Sequence, residues 1–173
     1  RGAKLLTEIK DAPLNADVVF TMVGYPKDVE GVYLGNDGLI TTAKEGQVFV
    51  DMTTSSPTIA KKISEEFAKV GASALDLPVT GGDIGAKNGT LSIMVGGDKK
   101  VYEEKVLPLV KHLGKNITYF GEAGKGQYAK LANQIAIATT MISVAESFKF
   151  AKEVGLDLED FFKTVSTGSG GSF

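Results

Sequence analysis

Short, fully apolar runs alternate with amphipathic ones along most of the chain. "ADVVFTMV" (16–23) is rich in β-branched residues and ends in "GYP", which predicts a strand buried on both faces followed by a loop. Residues 27–35 read as a short helix. "QVFVDMT" (47–53) predicts a second strand. In the "SSP" behind it, Ser55 or Ser56 can cap a helix and Pro57 fits its first turn. Ile59, Ile63, Phe67 and Val70 then recur at helical spacing until Gly71 stops the helix. "SALDLPV" (73–79) and "GTLSIMVGG" (89–97) predict a third and a fourth strand, residues 98–113 a helix, and "NITYF" (116–120) a fifth strand. Strands alternating with helices imply an α/β domain whose largely parallel sheet is covered on both faces.

After Gly126 the pattern changes to one helical run reaching about Val154, apolar on most of its circumference. Its stretch "LANQIAIATTMISVA" (131–145) reads as a buried helix, too short for a bilayer and interrupted by Asn133 and Gln134. "DLEDFFKTVST" begins a further helix, and the tail "STGSGGSF" reads as a loop or a frayed end. The expected organisation is an α/β domain over 1–122. Residues 123–173 then form a long linking helix and the start of an all-α domain whose remainder lies outside the chain. The opening "RGAKLLTEIKDAPLN" predicts a helix and a loop where a nucleotide-binding fold opens on a strand. The expectation is a piece of a larger protein of roughly 290 residues.

Composition narrows the chemistry. With 43% hydrophobic and 23% charged residues and a net charge of −2, the chain matches ordinary globular proteins that build a core. Lysines and arginines are dispersed, so nothing asks for nucleic acid or an anionic membrane as a partner. Absence of cysteine removes disulfides, thiolate nucleophiles and cysteine metal sites. The single histidine, His112, reads as a surface or helix-end residue, and no metal site is expected. No secretory signal opens the chain. The expected location is cytoplasmic, or an organelle lumen reached through a targeting segment outside it.

Several motifs fail. "GEAGKGQ" is not a phosphate loop, because Gly126 follows Gly124-Lys125 where Ser or Thr is needed. No G-x-S-x-G occurs, and no G-x-G-x-x-G follows an opening strand. What stands out is "PVTGGDIGAKNGTLSIMVGG" (78–97), which carries Gly81, Gly82, Gly85, Gly89, Gly96 and Gly97. Such a cluster marks either tight bends between strands or close approach of backbone to a ligand. A hydroxyl at Thr80 followed by Gly81 and Gly82 offers an O–H and approachable N–H groups, a combination suited to a carboxylate. In "GKGQYAKLANQ" (124–134), Lys130 and Asn133 lie three apart on one helix face. Lys130 either snorkels to solvent at the helix start or is buried, with the lowered pKa of a catalytic amine.

The stretches "ADVVFTMVGYP", "VDMTTSSP", "DLPVTGGDIGAKNGTLSIMVGG" and "GKGQYAKLANQ" occur in the order and spacing of a known family. The chain resembles, over nearly its whole length, the β-hydroxyacid dehydrogenases, which include 3-hydroxyisobutyrate dehydrogenase, tartronate semialdehyde reductase and the glyoxylate/succinic semialdehyde reductases. The resemblance implies a Rossmann-like, mostly parallel sheet, incomplete at its N-terminus, followed by the helical segment. It implies an oxidoreductase using NAD or NADP on a small 3-hydroxy acid or its semialdehyde. Lys130 matches the family's catalytic lysine, and Thr80, Gly81 and Gly82 its Ser-Gly-Gly substrate segment. Asn133 matches the asparagine one turn beyond the lysine. Val23 and Gly24 match a loop lining the cofactor, and Thr54 the hydroxyl residue beside the nicotinamide half. Thr80 in place of serine adds a methyl to the substrate segment. The family's pyrophosphate-holding turn and most of its helical domain are absent from the chain, and assembly of identical subunits through that domain is implied. The competing reading is a non-catalytic oligomerisation or interaction module that keeps the fold.

Overall fold

Strand formation follows the β-branched runs. In a computed structural model describing residues 2–171, β1 (Val18–Thr21), β2 (Val48–Asp51) and β3 (Ser73–Asp76) pair in parallel. Every residue of β2 is buried because both faces of the sheet are covered. Val48 and Val50 point into one apolar cluster with Leu75, Ile93, Val95 and Val106. Phe49 points the other way and meets Phe67 edge-on at 4.5 Å between ring centroids. Helices α1 (Pro26–Leu34) and α2 (Pro57–Lys69) supply that second face through Val29, Tyr33, Ile63 and Phe67.

The predicted strand 73–79 is two elements, a correction to the sequence reading. β3 ends at Asp76, and β4 (Val79–Thr80) pairs antiparallel with β5 (Leu91–Gly96) through Val79–Ile93 and Thr80–Ser92. Pro78, between them, has no N–H to continue the ladder. Helix α3 (Gly82–Asn88), which the sequence reading lacks, fills the supposed glycine-rich loop, with Gly85 buried inside it rather than in a turn. The sheet order is β1-β2-β3-β5-β4, with β6 (Gly114–Gly121) parallel to β5. This is the mostly parallel α/β sheet expected, with β5 antiparallel to β3 and β4.

The helix predicted over 98–113 runs as α4 (Lys99–Val101), a π-helical turn (Tyr102–Val106) and α5 (Leu107–Val110). His112 follows it, exposed, in a turn. Among the described residues no helix precedes a 3-10 helix at Ile9–Asn15, which contains Pro13.

Helix α6 (Lys125–Glu153) is continuous over 29 residues. Two compact units divide within it, Arg1–Lys130 and Leu131–Phe173. In the second unit α7 (Leu158–Ser166) is capped by the Asp157 carboxylate, which accepts the Glu159 and Asp160 N–H groups. Phe148 of α6 packs edge-on against Phe161 of α7 at 5.4 Å. The 131–145 stretch, expected to be buried with the help of a helical domain that continues outside the chain, leaves Ile135, Met141 and Ile142 exposed within this chain alone. A single short helix has too little surface to cover an apolar rod on all sides. No helix of the described residues is long and apolar enough to cross a membrane.

Candidate active site

Strand register sets out the site. Thr21, Asp51 and Asp76 lie side by side at the carboxyl ends of β1, β2 and β3. Both carboxylates are buried and line one small cavity with Tyr33 and Ile63. Asp51 accepts the Thr53 N–H at 3.0 Å and the Thr21 hydroxyl at 3.2 Å. Burial still raises its pKa above the usual carboxylate range. Asp76 is pushed up to about 6, chiefly by burial and slightly by the Asp51 charge, against its own backbone N–H and, more strongly, two backbone N–H groups from elsewhere in the chain, all of which favour the ionised form.

Those two N–H groups come from the root of α6. Gly124 donates to Asp76 Oδ1 at 2.7 Å and Gln127 to Oδ2 at 2.8 Å. The first turn of a helix has no internal acceptors for its N–H groups, and here a carboxylate supplies them. The wholly buried Gln127 side chain reaches the loop after β2, accepting the Ser55 N–H at 2.8 Å and donating to the Thr53 carbonyl at 2.7 Å. Backbones meet at van der Waals contact around Asp76. A Cβ on Gly96 would lie 2.6 Å from Oδ1, and one on Gly126 2.5 Å from the Asp76 and Met94 carbonyl oxygens.

Lys130 stands one turn beyond Gly126 and Gln127, on the face they dock, and helical side chains tilt back towards the N-terminus. It is 7% exposed. Burial lowers its pKa, and no acidic neighbour offsets the effect.

Thr80 is half-buried in β4 opposite Ser92, and Gly81 and Gly82 follow it at φ +125° and +62°, both exposed. Only glycine adopts such angles without strain. The α6 root touches β5 at Met94, two residues from Ser92, so the lysine-bearing turn and Thr80 attach to the same strand. Val23 and Gly24 lie in the loop after β1, where the Val23 N–H donates to Thr53 Oγ1 at 2.9 Å. Thr54 is exposed in the loop after β2. Ser56 occupies the cap position of α2 without a side-chain bond, and Pro57 is the first helical residue. Asn133 belongs to the second unit and carries a buried Oδ1 with no partner among the described residues. No group of three or more potential metal ligands lies together among those residues. Sequence reasoning missed Asp76, Gln127 and Asp51. An acid inside the apolar run "ALDLPV" is a readable signal for the first, whereas Gln127 carries none.

The implied nicotinamide cofactor fits the loops beyond β1 and β2. Ser55 Oγ is buried with no partner among the described residues, and Thr54 beside it is exposed. Met22 and Tyr25 present exposed apolar surface on the facing loop, a ledge suited to a flat ring with polar edges. Val23 and Gly24, which the resemblance gives to the loop lining the cofactor, and Thr54, which it gives to the nicotinamide half, would be the residues that hold it in these two loops.

Comparison with known proteins agrees with this geometry. The family described as the NAD binding domain of 6-phosphogluconate dehydrogenase matches residues 1–121. That described as NAD-binding of NADP-dependent 3-hydroxyisobutyrate dehydrogenase matches residues 124–173. An uncharacterized oxidoreductase, YkwC, of Bacillus subtilis is 51% identical over the whole chain, which covers 60% of that protein. The 2-hydroxy-3-oxopropionate reductase of Escherichia coli is 44% identical over 90% of the chain and 53% of its own length. A solved structure, Psf3 in complex with NADP+ and 2-OPP, superposes with a TM-score of 0.90 at 29% identity, covering 99% of this chain and 60% of that one. The chain thus spans little more than half the length of its relatives. With the first family matching well over half of its residues, this chain belongs to the β-hydroxyacid dehydrogenases and carries their NAD-binding domain of the 6-phosphogluconate dehydrogenase type.

Proposed function

We propose that the protein containing this chain is an oxidoreductase that interconverts a small 3-hydroxy acid and its semialdehyde, with NAD or NADP as cofactor and Lys130 as the proton carrier. One observation carries the reading: a lysine buried to 7% exposure, its pKa lowered by burial, roots a helix bonded to the carboxyl ends of the sheet. In open α/β sheets ligands bind beyond those ends. An ordinary lysine, with a pKa of about 10.4, is neutral about once in 2,500 molecules at pH 7. Lowering that value brings the amine nearer to working pH in both directions of the reaction.

When bound, a nicotinamide cofactor would supply the hydride chemistry at the carbon bearing the oxygen. Lys130 donates a proton to that oxygen during reduction and takes one during oxidation. Thr80 contributes a hydroxyl and the Gly81–Gly82 backbone its N–H groups to the substrate carboxylate, reached because neither glycine places a Cβ there. Support for a small carboxylate comes from the named activity of the E. coli relative, and support for the cofactor from the two matching families and the NADP+ complex. Assembly of identical subunits through the helical part completes the reading, as the family resemblance implies.

Lys130→Ala in the intact protein tests the assignment. Reduction of a panel of small semialdehydes, followed by NADH and NADPH absorbance, is expected to fall at least about 100-fold in kcat. Cofactor affinity, read by fluorescence titration, is expected to stay within about twofold. Near-normal turnover in this variant rejects Lys130. Lack of saturable quenching by either cofactor in the wild type favours the non-catalytic module.

A further inference from the structure

We propose that Asp76 and Gln127 form a buried clamp that positions Lys130 by fixing the first turn of α6 to the carboxyl ends of β2 and β3. This rests on the reading of Lys130 as the proton carrier. The two residues lie 51 positions apart in the chain, and both are buried. Asp76 is 2% exposed and Gln127 0%. Asp76 uses one oxygen for Gly124 and the other for Gln127, so both oxygens must accept. Gln127 then ties the same turn to Thr53 and Ser55, the loop beside Thr54. Gly96 and Gly126 leave no space for a larger group at position 76 or for any movement of the turn towards the strand. Lys130 rides one turn further along a rigid helix, so a shift of the root moves its amine by a similar distance. Displacements near 1 Å cost about 100-fold in well-aligned reactions.

The charged form of Asp76 is the one with two acceptors. Once protonated, one oxygen becomes a donor facing an N–H group, and one of the two bonds is lost. The titratable groups around it are Asp51 on β2 and Tyr33 on α1, which share its small cavity. Neither supplies a positive charge, so the N–H groups of α6 are what holds the negative one.

Asp76→Asn keeps the shape and removes the second acceptor. It is expected to lower kcat about tenfold or more, leave KM for the cofactor within about twofold, and remove an acid-side fall in kcat centred near pH 6, the value for Asp76. A second readout needs no turnover: the pH dependence of Lys130 acylation by an amine-reactive ester, followed by peptide mass spectrometry. Positioning predicts that the variant's Lys130 becomes wetter and labels with a higher pKa, towards the ordinary lysine value. A direct charge effect predicts the opposite, because removing a nearby negative charge lowers a lysine pKa. A fall in the Lys130 pKa, or wild-type kcat with wild-type labelling, overturns the clamp. Should Asp76→Asn fail to fold, Gln127→Leu, which keeps the Asp76 carboxylate but cuts the ties to Thr53 and Ser55, is expected to lower kcat and raise the pKa at which Lys130 labels, and wild-type kcat with wild-type labelling overturns the clamp. Lys130→Ala run alongside separates the two ideas. Turnover retained there rejects the proton carrier while the labelling still reports on the clamp. Turnover lost there with unaltered Asp76→Asn and Gln127→Leu rejects the clamp alone.

Discussion

Alanine at position 126 gives a sharp measure of how tightly α6 is seated. By helix propensity alone the change should stabilise, because glycine inside a helix costs about 1 kcal/mol relative to alanine. The packing opposes it. A Cβ at Gly126 would sit 2.5 Å from the carbonyl oxygens of Asp76 and Met94 and 2.9 Å from Asp76 Oδ2. None of these is the free end of a flexible side chain. Two belong to the backbones of β3 and β5, and the third is fixed by the Gly124 and Gln127 N–H groups. Relief requires the helix root to lift, which strains or breaks charge-assisted bonds worth about 1.5–3 kcal/mol each. Overpacking adds about 1–3 kcal/mol. Against the roughly 1 kcal/mol of propensity, the net loss is about 3 kcal/mol or more, a fall of roughly 6–12 °C in Tm for a protein of this size. Gly31 in α1 is the control. It is exposed, with nothing within 4 Å of its Cβ position, so Gly31→Ala should gain about 0.5–1 kcal/mol. Thermal and urea midpoints of the two variants should therefore move in opposite directions. If Gly126→Ala melts at or above the wild-type temperature, the contact between the α6 root and the strand ends does not exist as described.

Two further outcomes follow from the same row of buried polar groups. Asp76 binds its proton more tightly when folded, with a pKa of about 6 against 3.8 unfolded, so its contribution to stability is fully present below about pH 4 and is lost as pH rises through 6. That shift corresponds to about 3 kcal/mol. The difference in unfolding free energy between wild type and Asp76→Asn, measured by urea titration from about pH 4 to 7, should change by about that amount in the direction favouring the variant at higher pH. A flat difference refutes the buried-charge account. Thr53→Val removes the acceptor of the Val23 N–H. It should cost about 1–3 kcal/mol and weaken NADH or NADPH binding several-fold in a fluorescence titration, because the loop after β1 loses its tether.

The strands β1 and β2 were legible as short, fully apolar runs, α2 as an apolar stripe at helical spacing, and α6 as an apolar run too long for a strand. Failures cluster where a local cue competes with packing. Pro78 splits the predicted third strand, and "GDIGAKN" forms α3 despite glycines that disfavour helix, because Gly85 is pressed against Leu91 of β5. The rod 131–145 looks buried from composition, yet exposure depends on neighbours that a periodicity cannot count. At the site, residues with unusual chemistry for their surroundings, Thr80 with its glycines and Lys130 on an apolar helix, could be picked out. Gln127 could not, since a glutamine near a helix start has the same appearance whether it faces water or ties two loops together.

The glycines at 96 and 126 have a different meaning from the one their density suggests. Along the chain, Gly96 closes a strand and Gly126 lies in a failed phosphate loop. In the fold they are the two walls against one carboxylate, and neither has a positive φ, so close approach rather than backbone freedom selects them. That niche holds a charge whose burial costs stability at neutral pH. A neutral, well-packed residue there would be the more stable choice, yet it would leave two N–H groups at the helix root without acceptors. A carboxylate retained at such a cost is what a fold needs when the orientation of one helix turn matters more than the last few kcal/mol of stability.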